Sequence, residues 1–305
     1  MLAFIARRIL IAIPVMFIVI SLTFLLVRMM PGSPFDLERA QDPEVVRQLE
    51  MKYELDGPLW SQYVRYISAV CRGDLRESVK QYKDRPVTEI LAQTLPVSMT
   101  LGSLAFALAV TMGVGLGAVA AVHHNRWQDR GAMLIAMAGI SLPAFLLAPL
   151  LILGALMSNL LPVAGWGDLD QMVLPVICLA VPYAASVARL TRASFLEVLG
   201  QDYIRTARAK GLPEVAVVYQ HALKVAVLPV ISYCGPLAAS ILTGSMVVET
   251  IFKIPGMGPF FITSITSLDV FMVGGTVIVY AAFLILFNLV VDVLYFVVDR
   301  RIRLE

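Results

Sequence analysis

Few side chains in this 305-residue chain are spaced for chemistry. Its histidines are His123, His124 and His221. An adjacent His pair lacks the i,i+4 spacing that puts two ligands on one helix face, and no cysteine or carboxylate cluster lies near it, so no metal site is expected. Cys71, Cys178 and Cys234 form an odd, scattered set, two of them in apolar segments. That pattern reads as small apolar filler rather than a disulfide framework. No Ser-His or Cys-His arrangement suggests a hydrolase, and no GxxxxGK[ST] phosphate loop is present. The chain therefore reads as neither an enzyme nor a nucleotide-binding subunit. No catalytic, cofactor-binding or metal-binding residue is assigned, and no nucleic-acid partner is expected.

Three polar constellations remain. Near the C-terminus, Asn288, Asp292, Tyr295 and Asp299 recur at helical spacing inside an apolar run and fall on one face. A charge at the centre of a bilayer costs about 2.5–3.5 kcal/mol on insertion scales. Asp292 therefore calls either for a structural partner, with Arg189 or Arg192 as candidates, or for a role in moving substrate or protons. In Thr243–Phe260, Glu249 and Lys253 are placed for a local i,i+4 ion pair, and Pro255-Gly256 signals a turn. The third constellation is Asp202–Pro229, polar and basic in otherwise apolar surroundings. Asp202 is placed to cap a short helix from Tyr203 to about Lys210, and Gly211 suits a left-handed helix end. Leu212-Pro213 restarts a second helix that turns Val217, Val218, His221 and Leu223 toward the membrane. On the first helix Tyr203, Ala207 and Lys210 share one face, with Arg205 and Arg208 on others. The segment reads either as a docking element for a partner or as a basic interfacial helix touching lipid headgroups.

The elements that must position these groups follow from composition. Apolar residues make up 59% of the chain and charged residues 15%, with mean hydropathy +0.80. Soluble domains carry about 45–50% apolar and about 25% charged residues, so an integral membrane protein is expected. Six apolar segments are long enough to cross a bilayer as a helix, which takes about 20 residues. They lie near Ile9–Met29, Val97–Val122, Gly131–Met157, Met172–Leu190, Val225–Val248 and Phe271–Val298. The first is too long for a signal-peptide core and has no small-x-small cleavage site, so it is read as an uncleaved helix. Gly113, Gly115 and Gly117 in the second predict close helix packing.

Orientation follows from the basic residues of the short loops. With the N-terminus inside, the inner side holds Arg7, Arg8, Arg126, Arg130, Arg189, Arg192, Arg205, Arg208, Lys210, Lys224, Arg300, Arg301 and Arg303. The short outer loops hold only Lys253, so both termini are expected in the cytoplasm. The long loop Pro31–Gln93 is then extracytoplasmic. Asp42-Pro43 reads as a cap and first turn, with Val45, Val46, Leu49 and Tyr53 on one face. A second helix opens at Pro58, with Trp60, Tyr63, Val64, Ile67 and Val70 as its packing face and Gly73 beyond its end. The expected organisation is residues 1–93 as first helix and helical outer loop, 94–298 as a five-helix core with a cytoplasmic loop at 191–225, and 299–305 as a basic tail.

The insert resembles the cytoplasmic loop of permeases of ATP-binding-cassette (ABC) importers, whose pattern is Glu-Ala-Ala, three residues, Gly, nine residues, then Ile-x-Leu-Pro. Aligned on Gly211, the first positions are Arg205, Thr206 and Ala207, and the last are His221, Ala222, Leu223 and Lys224. Ala, Gly and Leu match. The string YIRTARAKGL followed by HAL is similar to the peptide and nickel branch. The opening MLAFIARRILIAIP, the PGSP after the first span, Gly73-Asp74-Leu75 and the closing NLVVDVLY extend the resemblance over the whole chain, toward the B-type permease subunit of oligopeptide and dipeptide importers. Arg76 departs from it, standing where the family often has Gly.

The resemblance implies an all-α, type I ABC importer permease fold in a bacterial inner membrane, with a helical outer loop. It implies that Tyr203, Arg205, Thr206, Ala207, Arg208, Lys210 and Gly211 couple to a separate ATPase. It also implies that Glu249, Lys253, Pro255 and Gly256 shape an outer gate or meet the solute-binding protein. The implied partners are a second homologous permease, two ATPase chains carrying ATP and magnesium, an extracytoplasmic solute-binding protein, membrane lipid and a peptide substrate. Nickel or glutathione remain alternative cargoes. A stand-alone secondary transporter or channel is the competing class, and it predicts midplane charges and inverted repeats that are not visible here.

Overall fold

The computed structural model describes residues 2–29, 35, 43–80, 82–242 and 245–298. The expectations placed on the PGSP segment, on the Asp42 cap, on Thr243 and on Asp299 with the basic tail fall outside these residues. The Tyr295 side chain does too, although its backbone lies in a described helix. Among the described residues the secondary structure is helical, apart from an isolated antiparallel bridge between Glu77 and Pro86.

The first helices are α1 (Leu2–Met29), α2 (Pro43–Lys52), α3 (Leu59–Cys71) and α4 (Val87–Val122). Next come α5 (Trp127–Ser141), α6 (Ala144–Ser158), α7 (Leu169–Leu199) and α8 (Asp202–Ala209). A composite helix follows: α9 (Glu214–Ala216), a π-helical turn (Val217–Ala222) and α10 (Leu223–Ala226). The last elements are α11 (Leu228–Leu242), α12 (Met246–Ile251), α13 (Met257–Thr266) and α14 (Val270–Val298).

Among the described residues, five helical stretches are long and apolar enough to cross a membrane: Ala6–Met29, Val87–Val122, Leu169–Leu199, Leu228–Ile251 and Val270–Val290. A sixth is counted if α5 and α6 form one broken span. Here the sequence expectation needs correction, because Gly131–Met157 is not one helix. α5 and α6 meet at 110°. Pro143 has no N–H to continue the ladder and forces Leu142 into an extended conformation (φ −90°, ψ 109°). α4 begins well before Val97 and α7 runs well past Leu190, so residue 93 lies inside a continuous helix rather than at its edge.

The chain divides into two compact units, residues 1–98 with 255–285 and residues 99–254 with 286–305. In the first, Tyr53, Tyr66, Val79, Val87, Ile90, Met257 and Met272 form the core. Tyr66 stacks on Phe271 and tilts against Phe24. Gly274 is required there, since a Cβ would lie 2.5 Å from the Tyr66 hydroxyl. Arg76 adopts φ +66°, a left-handed conformation that suits the glycine of the related pattern. Its guanidinium donates to Glu54 Oε2 at 2.6 Å, which offsets part of the backbone strain. The packing face expected on α3 is rotated: Gln62, Tyr66 and Ala69 are buried, while Trp60 and Val64 are exposed.

In the second unit α7 is central, with 56% of its most apolar window buried against 6% for α1. Small residues let helices approach it closely. Ala136 of α5 packs on Ala185 and Ala188. The glycine step of α4 fits directly: a Cβ on Gly113 would lie 2.5 Å from Val187 Cβ, and one on Gly117 would lie 2.5 Å from the Ala188 carbonyl oxygen.

Candidate functional site: a helical insert with an outward polar face

α7 ends at Leu199, and the chain turns through Gly200 and Gln201 into α8. Asp202 does not cap this helix as expected. Gln201 holds the extended cap position without a side-chain bond, and Asp202 is the first helical residue. There its carboxylate favours the positive end of the helix dipole and accepts from Arg205 Nη1 at 3.3 Å. The other end follows expectation. Gly211 is left-handed at φ +79°, its N–H donates to the Arg208 carbonyl at 2.9 Å, and the Leu212 N–H donates to the Ala207 carbonyl at 3.4 Å. These two bonds make a Schellman end, which satisfies the last carbonyls and turns the chain sharply.

Burial sorts the helix into two faces. Ile204 and Ala207 are buried in a cluster with Ala121, Phe195, Val198, Val217, Ala222 and Ala226. Tyr203, Arg205, Thr206, Arg208, Lys210 and Gly211 are exposed. Ala207 therefore anchors the insert to this chain rather than sharing an outward face with Tyr203 and Lys210. Arg208 bridges forward to Glu214, donating through Nη2 at 2.5 Å and Nε at 3.0 Å. The pairing raises the guanidinium pKa and holds the Glu214 carboxyl below its ordinary value. This two-pronged bond fixes α8 against α9 across the Gly211 turn. The next segment buries Val217 and Ala222, half-buries Val218, His221 and Leu223, and winds as a π-helix over Val217–Ala222. Beside it an open groove of about 700 Å³ is lined mostly by apolar residues, Val114, Ala118, Phe195, Val218 and Leu223 among them, with His123 and Glu214.

A second polar group in this unit had no sequence expectation attached. Asp129, in the first turn of α5, is 3% exposed and accepts from Arg192 Nε at 2.6 Å and Nη2 at 2.8 Å. The Asn125 N–H adds a bond at 2.9 Å, and His124 Nδ1 lies 3.5 Å away. Arg192 is thereby engaged by Asp129, which removes one of the two arginines considered for Asp292. Asn288 and Asp292 are half-buried on α14. A lone acid just after a basic His-His loop was the available clue to the Asp129 pair.

The proposed gate residues separate by environment. Glu249 is fully buried, whereas Lys253 is exposed at φ +55°, beyond the end of α12. The expected i,i+4 helical pair does not form, because the helix stops at Ile251 and turns Lys253 away. In the other unit, Pro255 is exposed and Gly256 is the extended cap of α13, whose Met257 N–H donates to the buried Ser98 hydroxyl at 2.8 Å.

That same unit contains a clamp that sequence reasoning passed over. Asp269 caps α14, accepting from the Met272 N–H at 3.2 Å. Its carboxylate also accepts from the Ser78 hydroxyl and from the N–H groups of Val79 (3.3 Å) and Lys80 (3.2 Å). The signal was an Asp immediately before an apolar run. Among the described residues no three His, Cys, Asp or Glu side chains come together as a metal site.

Comparison with known proteins gives this arrangement a family. Residues 113–304 match the family of binding-protein-dependent transport system inner membrane components, and residues 1–102 match the N-terminal family of such membrane components. The chain is 47% identical to the oligopeptide transport system permease protein OppB of Salmonella typhimurium, over 99% of this chain and 100% of that one. It is 45% identical to the dipeptide transport system permease protein DppB of Bacillus subtilis, over 94% of each. The fold is shared with the MetNI methionine ABC transporter in inward-facing conformations, at 15% identity and TM-score 0.57, covering 70% of this chain and 98% of that one. An amino acid ABC transporter aligns at 18% identity and TM-score 0.52, covering 70% of this chain and 95% of that one. Insert, bent spans and full-length similarity lead to one conclusion: the chain belongs to the binding-protein-dependent inner membrane permeases and has the type I ABC importer permease fold.

Proposed function

We propose that this permease subunit imports peptides, forming half of a translocation path with a second, similar permease and drawing its energy from two ATPase subunits. A solute-binding protein would deliver the cargo from the extracytoplasmic side. The observation that carries the reading is α8, anchored by Ile204 and Ala207 and ended by Gly211, which leaves Tyr203, Arg205, Thr206 and Lys210 facing outward. A helix held so rigidly, with an outward cationic face, suits docking into a groove of another protein. The positive-inside distribution of Lys and Arg supports a cytoplasmic position for that face and for both termini. ATP and magnesium would reside on the ATPase chains, since this chain carries no phosphate loop. Peptide cargo rests on the similarity to oligopeptide and dipeptide permeases.

The test is uptake of labelled peptides by proteoliposomes holding the chain with its co-expressed permease, ATPases and binding protein. Gly211→Asp should leave the complex assembled while ATP hydrolysis no longer drives uptake. Normal uptake by that variant, or proton-driven uptake by the chain alone, would refute the coupling role. Uptake of nickel or glutathione in place of peptides would refute only the cargo.

A further inference from the structure

We propose that α3 is an interfacial helix whose Trp60 and Val64 lie in the acyl region of the bilayer leaflet surrounding the C-terminal end of α1. The proposal goes beyond the transport reading and rests only on α1 crossing the membrane.

α3 has three faces rather than two. At about 100° per residue, Gln62, Tyr66 and Ala69 form one side, which is buried in the unit. Ser61, Arg65, Ser68 and Arg72 form a polar side, and Arg65 there donates to the carbonyls of Glu54 (2.9 Å) and Asp56 (2.7 Å). The third side carries Trp60, Tyr63, Val64 and Ile67, without a charge. On it Trp60 is 73% and Val64 47% exposed. A water-facing helix would place polar groups there; the neighbouring α2 exposes Glu44, Arg47 and Gln48 beside Val45 and Met51, whereas this side of α3 has no charge at all.

Depth is the second observation. The Tyr63 hydroxyl lies 2.7 Å from the Ser21 hydroxyl of α1, and its ring meets Phe24 edge-on at 5.4 Å. Ser21 sits seven residues before Arg28, so about 10 Å below the polar end of the span. Interfacial helices bury their apolar face about 5–10 Å into the headgroup and acyl boundary. The polar atoms at this depth are satisfied without water. Ser21 donates to the Phe17 carbonyl at 2.7 Å, which leaves the Tyr63 hydroxyl to donate to Ser21.

Continuity is the third. Ile18 and Leu25 flank Ser21 at i−3 and i+4 on the same side of α1, and are 61% and 51% exposed. α1 is an apolar span with little burial within this chain, so its surface is open to acyl chains, and the α3 face extends it. Tryptophan and tyrosine at that level are the residues enriched where a membrane protein leaves the bilayer.

Spin labels can test this in the assembled complex in lipid nanodiscs. Cys71, Cys178 and Cys234 are replaced, and single cysteines are introduced by Trp60→Cys, Val64→Cys and, for contrast on α2, Arg47→Cys. Labels at 60 and 64 should collide with oxygen more often than with a water-soluble nickel chelate, with the reverse at 47. Nickel access at 60 and 64 equal to that at 47 would overturn the proposal. So would shielding from both reagents, which would mean a protein partner covers the face. In the chain carrying Trp127→Phe and Trp166→Phe, quenching of Trp60 by lipids brominated in the acyl chain reads the same depth with native cysteines. Quenching supports the proposal, and its absence overturns it.

Discussion

The α1–α4 loop and the α7–α11 insert are both polar segments among apolar helices, yet they dispose of their charges in opposite ways. In the loop, polar groups turn to partners of the same unit. The Ser78 hydroxyl and the N–H groups of Val79 and Lys80 bind Asp269 of the α13–α14 turn, Glu54 binds Arg76, and Asp84 accepts from Lys52 at 2.6 Å and from the Tyr53 hydroxyl at 2.7 Å. In the insert, the groups turned inward are the apolar Ile204 and Ala207, and Arg205 and Lys210 stay on the surface. One segment uses polar chemistry to fix its own shape. The other is held by apolar anchors, a glycine turn and the exposed Arg208–Glu214 pair, which leaves Tyr203, Thr206 and Lys210 outward.

The largest effect separating the two should come from Asp269→Ala. Several buried donors would lose their acceptor, at about 1–3 kcal/mol for each group left unsatisfied. Limited proteolysis should then cut near residues 78–85 while the insert keeps wild-type protection. Equal loosening of both segments would erase the contrast. Gly211→Ala comes next, at about 1–2 kcal/mol for a left-handed residue with a Cβ. Nothing lies within 4 Å of that Cβ, so the cost is backbone strain alone. ATP hydrolysis should lose its dependence on loaded binding protein before the melting temperature falls appreciably.

How much of this was legible in the sequence depends on range. Gly211 and the Gly113/Gly117 step were readable because a helix end and a close approach each require glycine locally. Pro143 inside the apolar run Gly131–Met157 signals an interrupted span, but nothing local to it sets the 110° angle. Asp129–Arg192 and Asp269–Ser78 join residues far apart in sequence, and without a fold neither acid differs from a surface one. On α3 the helical period found an apolar face correctly, but period alone cannot say whether such a face meets protein or lipid.

Smaller effects sharpen the comparison further. Arg208→Ala removes a half-exposed pair with Glu214, for which screening limits the loss to about 1 kcal/mol or less. Calorimetry should register almost no change, while ATPase stimulation drops if the α8–α9 angle matters for docking. The smallest effect is in pH. Lys52 and Tyr53 hold the Asp84 carboxyl below its ordinary value, so their stabilisation is fully present above about pH 4 and is lost as pH falls through the lower folded value. Protease resistance of the outer loop should be flat from pH 7 to pH 5 and decline only in stronger acid. Asp84→Asn should remove that decline.

The central claim is that the outward face of α8 meets the ATPase. Single cysteines placed along 202–211 in a chain lacking Cys71, Cys178 and Cys234, crosslinked in the assembled complex, test it most directly. Positions 203, 205, 206 and 210 should crosslink to the ATPase chain, and positions 204 and 207 should not. A flat pattern across the helix, or crosslinks to lipid alone, would contradict the account.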